Sequence, residues 1–168
     1  MKYLLDTNIV SKLFDKSAEG HIRIREKIAT LNEADEVAVS ILTLYELEYG
    51  LANAPAERKE VIRKKIEKVK AHFQTLPIAP EGASRFGELK KALKERRSLD
   101  KTRIQLHNVD LILATTCLAD GRTLVSVDTL YADVVAIEPD LLVENWLTPP
   151  QQRIKTGEGQ RIKEKETK

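Results

Sequence analysis

The chain has 168 residues, 42% of them hydrophobic and 32% charged, with a net charge of +2. That balance fits one compact domain with its own core, and no apolar run is long enough to span a membrane. The single cysteine, Cys117, excludes an intrachain disulfide and an all-cysteine metal cage. It points to a reducing, cytoplasmic setting. Met1-Lys2-Tyr3 runs so directly into the first apolar stretch that no secretory leader is expected.

From Pro149 to Lys168 the chain carries six Lys/Arg against three Glu, more than the net charge of the whole chain. The body is therefore close to neutral. A folded domain over residues 1–147 and a polar, flexible tail over 148–168 are the expected organisation; a basic arm contacting RNA is the sharper reading of that tail.

Tyr3-Leu4-Leu5 reads as a short buried strand that breaks into Asp6-Thr7-Asn8. Asp6 stands at the carboxyl end of that strand, where open α/β sheets place their ligands. A helix cap accounts for it equally well by itself. Helical patterns follow to about Phe14 and from about Gly20 to Leu31. Glu36-Val37-Ala38-Val39 is a second strand, ended by Ser40, which caps a helix from Ile41 to about Asn53. That helix carries Glu46 beside Leu42, Thr43 and Gly50. A mid-helix glycine predicts a close approach at that point, while Leu44, Leu47 and Leu51 supply the buried stripe. The bland reading of Glu46 is a solvated helix residue.

After Ala54-Pro55 a helix runs to about Phe73 with Val61, Ile62, Ile66, Val69 and Phe73 as its apolar stripe. Its other side, with Arg58, Lys59, Arg63, Lys64, Lys65 and Lys68, is either a solvated face or a surface for polyanions. Leu76-Pro77-Ile78 predicts a weak third strand. A helix from Pro80-Glu81 ends in Lys94-Glu95-Arg96-Arg97, followed by a polar connection with Asp100, Lys101 and Arg103. Asn108 is the expected cap of a helix to Asp120, terminated by Gly121. Asp110 then falls in its first turn, a position that the helix dipole favours without any function. Thr123-Leu124-Val125-Ser126-Val127 is a strand ending at Asp128-Thr129, the same design as Leu4-Leu5-Asp6-Thr7. Val134-Val135-Ala136-Ile137 reads as a last short strand, and Leu141 to Leu147, with Trp146, packs back.

Alternating strands and helices predict a three-layer α/β/α sandwich with a short, mostly parallel central sheet. Right-handed crossovers put all strand ends at one edge, so Asp6, Glu46, Asp110 and Asp128 can converge there. Clustered carboxylates repel and are tolerated chiefly around a hard divalent cation. With oxygen ligands that cation is Mg2+, with Mn2+ a plausible substitute. Such centres hydrolyse phosphodiesters with a water whose pKa the metal lowers.

Four segments together carry a resemblance: Leu4-Leu5-Asp6-Thr7-Asn8, Ser40…Glu46-Leu47…Tyr49-Gly50, Asp110-Leu111-Ile112…Ala114 and Leu124-Val125-Ser126-Val127-Asp128. The chain to about Trp146 resembles PIN-domain ribonucleases, more narrowly the VapC toxins of type II toxin–antitoxin pairs. That resemblance implies a Mg2+-dependent endoribonuclease with Asp6, Glu46 and Asp110 as core metal ligands and Asp128 as the fourth. Thr7 and Asn8 would support the first acid, and Arg96, Arg97, Lys101 and Arg103 would steer the RNA backbone. It further implies a homodimer and a cognate antitoxin protein, with contacts over Ile41 to Phe73. Two departures stand out: a long polar lead-in before Asp110, and Ala132 where relatives often carry an aromatic residue. Asp133 competes with Asp128 for the fourth position. A receiver domain would need a lysine where Asp128 ends its strand, and a haloacid-dehalogenase-type phosphatase a second acid where Asn8 stands. A non-catalytic PIN-like RNA-binding or assembly module is the alternative of another class.

Overall fold

The computed structural model describes residues 1–148; from residue 149 onward the expected tail lies outside the described residues. Five strands form one all-parallel sheet in the order β3-β2-β1-β4-β5: β1 Lys2–Leu5, β2 Glu36–Ser40, β3 Gln74–Leu76, β4 Thr123–Val125 and β5 Val143–Glu144. Seven helices cover it: α1 Thr7–Leu13, α2 His21–Ala29, α3 Ile41–Asn53, α4 Ala56–His72, α5 Ala83–Arg96, α6 Asn108–Asp120 and α7 Leu130–Ile137.

The β1 sequence dictates its central place. Tyr3, Leu4 and Leu5 are all buried, and alternation along the strand sends them to opposite faces. Leu4 joins Ala38, Leu124, Leu89, Leu93, Leu111 and Tyr131 in one core, under α5, α6 and α7. Tyr3 and Leu5 join Val39, Ile9, Val10, Leu47, Ile66 and Val69 in the other, under α1 to α4. Two apolar faces need two covering layers, so the expected α/β/α sandwich is what forms. The strand order grows from β1 toward β3 on one side, then restarts at β4 on the other. The switch point lies between the carboxyl ends of β1 and β4, where such sheets open a crevice.

Several expectations need correction. Val134 to Ile137 is not a strand but the second half of α7. The β-branched run suits either state, but Leu130, Tyr131 and Val134 all bury, a helical spacing, and the Asp128 carboxylate holds the backbone N–H of Leu130 at 2.7 Å. The fifth strand comes instead from Val143–Glu144 beside β4. The third strand shifts back to Gln74–Leu76, before Pro77, whose nitrogen cannot donate to a ladder. Pro80–Gly82 is a 3-10 turn ahead of α5. Asn108 is the first residue of α6 rather than its cap; its amide accepts from Lys90 at 2.7 Å and donates to Gln105 at 3.0 Å. The close approach predicted at Gly50 is absent: a Cβ there would meet nothing within 4 Å among the described residues. Val61, assigned to the buried stripe of α4, is 71% exposed. Gly121, by contrast, ends α6 with φ of 60°, the left-handed cap that its sequence position suggested.

Candidate metal centre

Asp6 sits where β1 stops and α1 starts. Its backbone N–H continues the sheet by donating to the Val125 carbonyl at 3.0 Å, which places its side chain in the crevice between β1 and β4. One carboxylate oxygen, Oδ1, accepts from the Thr7 backbone N–H at 2.6 Å, so Asp6 is indeed a helix cap. The other oxygen accepts from the Ser126 hydroxyl at 2.6 Å and the Asn8 amide at 2.8 Å. The cap reading of Asp6 thus holds for one oxygen, while the other is held by Ser126 and Asn8.

Ser126 is the joint of the site. Besides donating to Asp6, its hydroxyl accepts from the Asp128 backbone N–H at 3.0 Å and from Asn8 Nδ2 at 3.2 Å. It ties the fourth acid to the first. Thr7 makes the corresponding tie to α3. Its hydroxyl donates to Glu46 Oε2 and lies 3.2 Å from the hydroxyl of the fully buried Thr43. A hydroxyl has one proton; with Thr7's given to Glu46, Thr43 is the donor to Thr7. Ser126 and Thr43 received no role from the sequence. The available signal was a hydroxyl inside the apolar β4 run, and one on the turn of α3 before Glu46.

Depth in the crevice is graded. Asp6 is buried, Asp110 in the first turn of α6 is half-buried, and Glu46 and Asp128 are exposed at the rim. Burial pushes the Asp110 carboxyl up to about 7, helped by the negative charges of Asp6, Asp128 and Glu46. Burial also raises Asp6, opposed by its bonds to Ser126 and Thr7 and reinforced by Glu46 and Asp128. The four acids of distant chain segments therefore face one another. His107 Nδ1 stands 3.6 Å from Asp110 Oδ2, and the buried Tyr131 hydroxyl donates to the Asp110 carbonyl at 3.4 Å. Burial holds that phenol well above its ordinary range, as a neutral donor.

Asp133 is not drawn into this group. Arg96 and Arg97 each donate to one of its oxygens, at 2.7 and 2.6 Å, and hold its carboxyl below the usual carboxylate range. Of the other two basic candidates, Arg103 Nε lies 3.7 Å from Asp100 and Lys101 is exposed.

The comparisons meet this geometry from outside. A family model described as PIN domain matches residues 3–136, which spans all four acids. The chain belongs to the PIN domain family. No curated protein matches the sequence significantly. Solved structures share the PIN fold. A chain of VapBC2 from Rickettsia felis, bound to a DNA fragment from its promoter, superposes with a TM-score of 0.68 at 24% identity, over 87% of this chain and 99% of that one. VapBC-1 from nontypeable Haemophilus influenzae gives 0.68 at 22% identity, over 88% of this chain and 100% of that one. VapBC-5 from Mycobacterium tuberculosis, a member of the VapBC family of toxin-antitoxin systems, gives 0.56 at 23%, over 86% and 96%.

An all-oxygen, strongly anionic donor set on a PIN fold has the chemistry to hold a hard divalent cation. Asp6, Glu46, Asp110 and Asp128 are the residues that could do so. Asn8 Oδ1, buried without a hydrogen-bond partner among the described residues, adds an uncommitted oxygen beside Asp6. No three His, Cys, Asp or Glu side chains among the described residues already stand at coordinating geometry.

Proposed function

We propose that this PIN-domain protein is a Mg2+-dependent endoribonuclease, Mn2+ serving as a substitute, and the toxin of a toxin–antitoxin pair. The observation that carries the reading is the crowding of four carboxylates at the β1/β4 switch point without a lysine or arginine among their partners in the described residues. Such crowding is costly unless an external cation offsets it.

Asp6, Glu46 and Asp110 would hold the ion, with Asp128 completing the ring. The ion supplies charge neutralisation at the scissile phosphate and acidifies an attacking water. The chain supplies position. Ser126 and Thr7 orient the first, second and fourth acids through hydroxyls, and the half-buried Asp110 carboxyl, raised by burial in the metal-free chain, gives up its proton on taking the ion. Hydrolysis then needs no covalent enzyme intermediate.

The toxin reading is supported by PIN-fold neighbours that were solved as VapBC pairs. A protein partner is also supported by the surface: Tyr45, Tyr49 and Val61 on α3 and α4 are large and at least 70% exposed. We assign antitoxin and homodimer contacts to that face. The basic side chains of Arg96, Arg97, Lys101 and Arg103 would steer the RNA backbone.

RNA cleavage by the wild type and by Asp6→Asn, with Mg2+ and with excess EDTA, tests the assignment. Full activity in the variant, or activity that persists in EDTA, overturns it. Toxicity on expression that a small co-transcribed protein relieves separates the toxin from a non-catalytic RNA-binding module. Sequencing RNA ends after induction would identify the target.

A further inference from the structure

Four acids repel a polyanion, so an RNA strand can approach them only if cations stand close by. The cations near this crevice are not equivalent. Lys90 has its ammonium engaged by Gln105 at 2.8 Å and Asn108 at 2.7 Å. Arg103 leans toward Asp100, and Lys101 is a free point charge on a turn. Arg96 and Arg97 are different. They are consecutive residues at the end of α5, and both Nε atoms donate to the same carboxylate, one to each oxygen of Asp133.

That geometry leaves a particular surface. A guanidinium can bind along its Nε edge or across its two terminal nitrogens. Asp133 takes the Nε of each arginine. The terminal nitrogens of both have no hydrogen-bond partner among the described residues, and the side chains remain 48% and 31% exposed. Two forks of the kind that grips a phosphate bidentately therefore stand side by side with their long side chains already ordered. The cluster keeps a net positive charge. Asp133 lies in the first turn of α7, the helix whose Leu130 N–H donates to the Asp128 carboxylate at 2.7 Å.

We propose that Arg96 and Arg97, ordered by Asp133, form a docking fork for backbone phosphates of the RNA strand entering the acidic crevice. This rests on the ribonuclease reading above. Asp133 acts as a positioning residue, and the contradiction of an acid that aids polyanion binding makes the idea testable. If Asp133 merely neutralised the arginines, removing its charge would tighten RNA binding.

Fluorescence anisotropy of the full-length protein with a labelled single-stranded oligouridylate in EDTA reads binding without cleavage. Asp133→Asn is expected to weaken binding about fivefold despite its added positive charge. The Arg96→Lys/Arg97→Lys double variant, which keeps the charge but loses both forks, is expected to weaken it similarly. Arg96→Ala/Arg97→Ala is expected to lower the slope of log K against log salt by about 0.7 per lost phosphate contact. Tighter or unchanged binding by Asp133→Asn overturns the fork. If that variant fails to fold in a thermal melt, wild-type affinity in the double lysine variant overturns it instead. Loss of affinity for the co-transcribed partner protein with RNA binding intact would reassign the forks to a protein contact. Binding by the wild type without any Mg2+-dependent cleavage would sink the nuclease reading and leave the fork standing. A wild type that neither binds the oligonucleotide nor cleaves RNA with Mg2+ sinks both.

Discussion

The two edges of one sheet treat their acids in opposite ways. At the amino edge, Asp35 meets the amino terminus, and Arg122 reaches both Asp120 and Glu36, the latter at 3.2 Å. Lys2 adds a contact to Asp120 at 3.5 Å. The amino terminus holds Asp35 below the usual carboxylate range, and Arg122 does the same for Asp120. At the carboxyl edge the partners are hydroxyls, backbone N–H groups, the Asn8 amide, the His107 imidazole and other acids, and Asp6 and Asp110 move the other way. Each of these amino-edge acids meets a cation of the chain itself, while Arg122 Nη1 stays buried without a partner among the described residues. The carboxyl edge offers its acids no lysine or arginine among the described residues, and the proposed external cation would supply that missing charge.

The contrast can be broken most severely at Asp110. Asp110→Asn is expected to lower Mg2+-dependent RNA cleavage by about 10²–10³, the usual cost of removing one electrostatic element from a reaction centre. The same change should stabilise the metal-free protein. The native Asp110 carboxyl is pushed up to about 7 from an ordinary 3.8, so between those values the native state binds more protons than the unfolded chain. Metal-free stability therefore falls as pH rises through that window, by on the order of 4 kcal/mol for this group. Thermal melts in EDTA should show the wild type losing stability from about pH 4 to pH 7 while Asp110→Asn loses less. Added Mg2+ should raise the melting point of the wild type more than that of the variant. A wild-type melting point that climbs across the window would contradict the crowding of the crevice.

A smaller effect is expected at the joint. Ser126→Ala removes the link between Asp6 and the Asp128 backbone and should weaken Mn2+ binding, read by titration calorimetry, about 10–100-fold. Unchanged affinity would mean that Asp6 and Asp128 need no common anchor. Smaller again is Thr43→Val, which takes away the donor behind Thr7. A loss of cleavage of about tenfold or less is expected, with Thr43→Ser restoring it; equal loss in both variants would point to packing instead of the hydroxyl. The smallest change belongs to the amino edge. Lys2→Ala breaks an exposed pair and should alter urea stability by less than about 0.5 kcal/mol with cleavage unaffected.

Much of this was legible in the chain because local rules and global fold agree there. Leu4-Leu5-Asp6 and Leu124 to Asp128 announce strand ends with a polar break, and Ser40 caps α3 through its hydroxyl, 3.2 Å from the Leu42 N–H. The misreadings have local causes too. Val134 to Ile137 is short and β-branched, and only its packing under the sheet shows the helical spacing. Gly50 shows that a helical glycine need not answer to a close neighbour among the described residues. Ser126 and Thr43 were overlooked because a hydroxyl in an apolar run has no local signature of what it will bond.

By itself the sequence determined the alternation of strands and helices, the two-faced apolar character of β1 and the four acids, two past strand ends and two on helices, since period and burial are properties of neighbouring residues. Tertiary structure decided which acids meet. Parallel pairing of β4 with β1 brings residues 120 positions apart into one hydrogen bond, between Ser126 and Asp6. Packing of α7 against α5 draws Asp133 away to two arginines. Such choices depend on distances across the fold, and no local pattern encodes them.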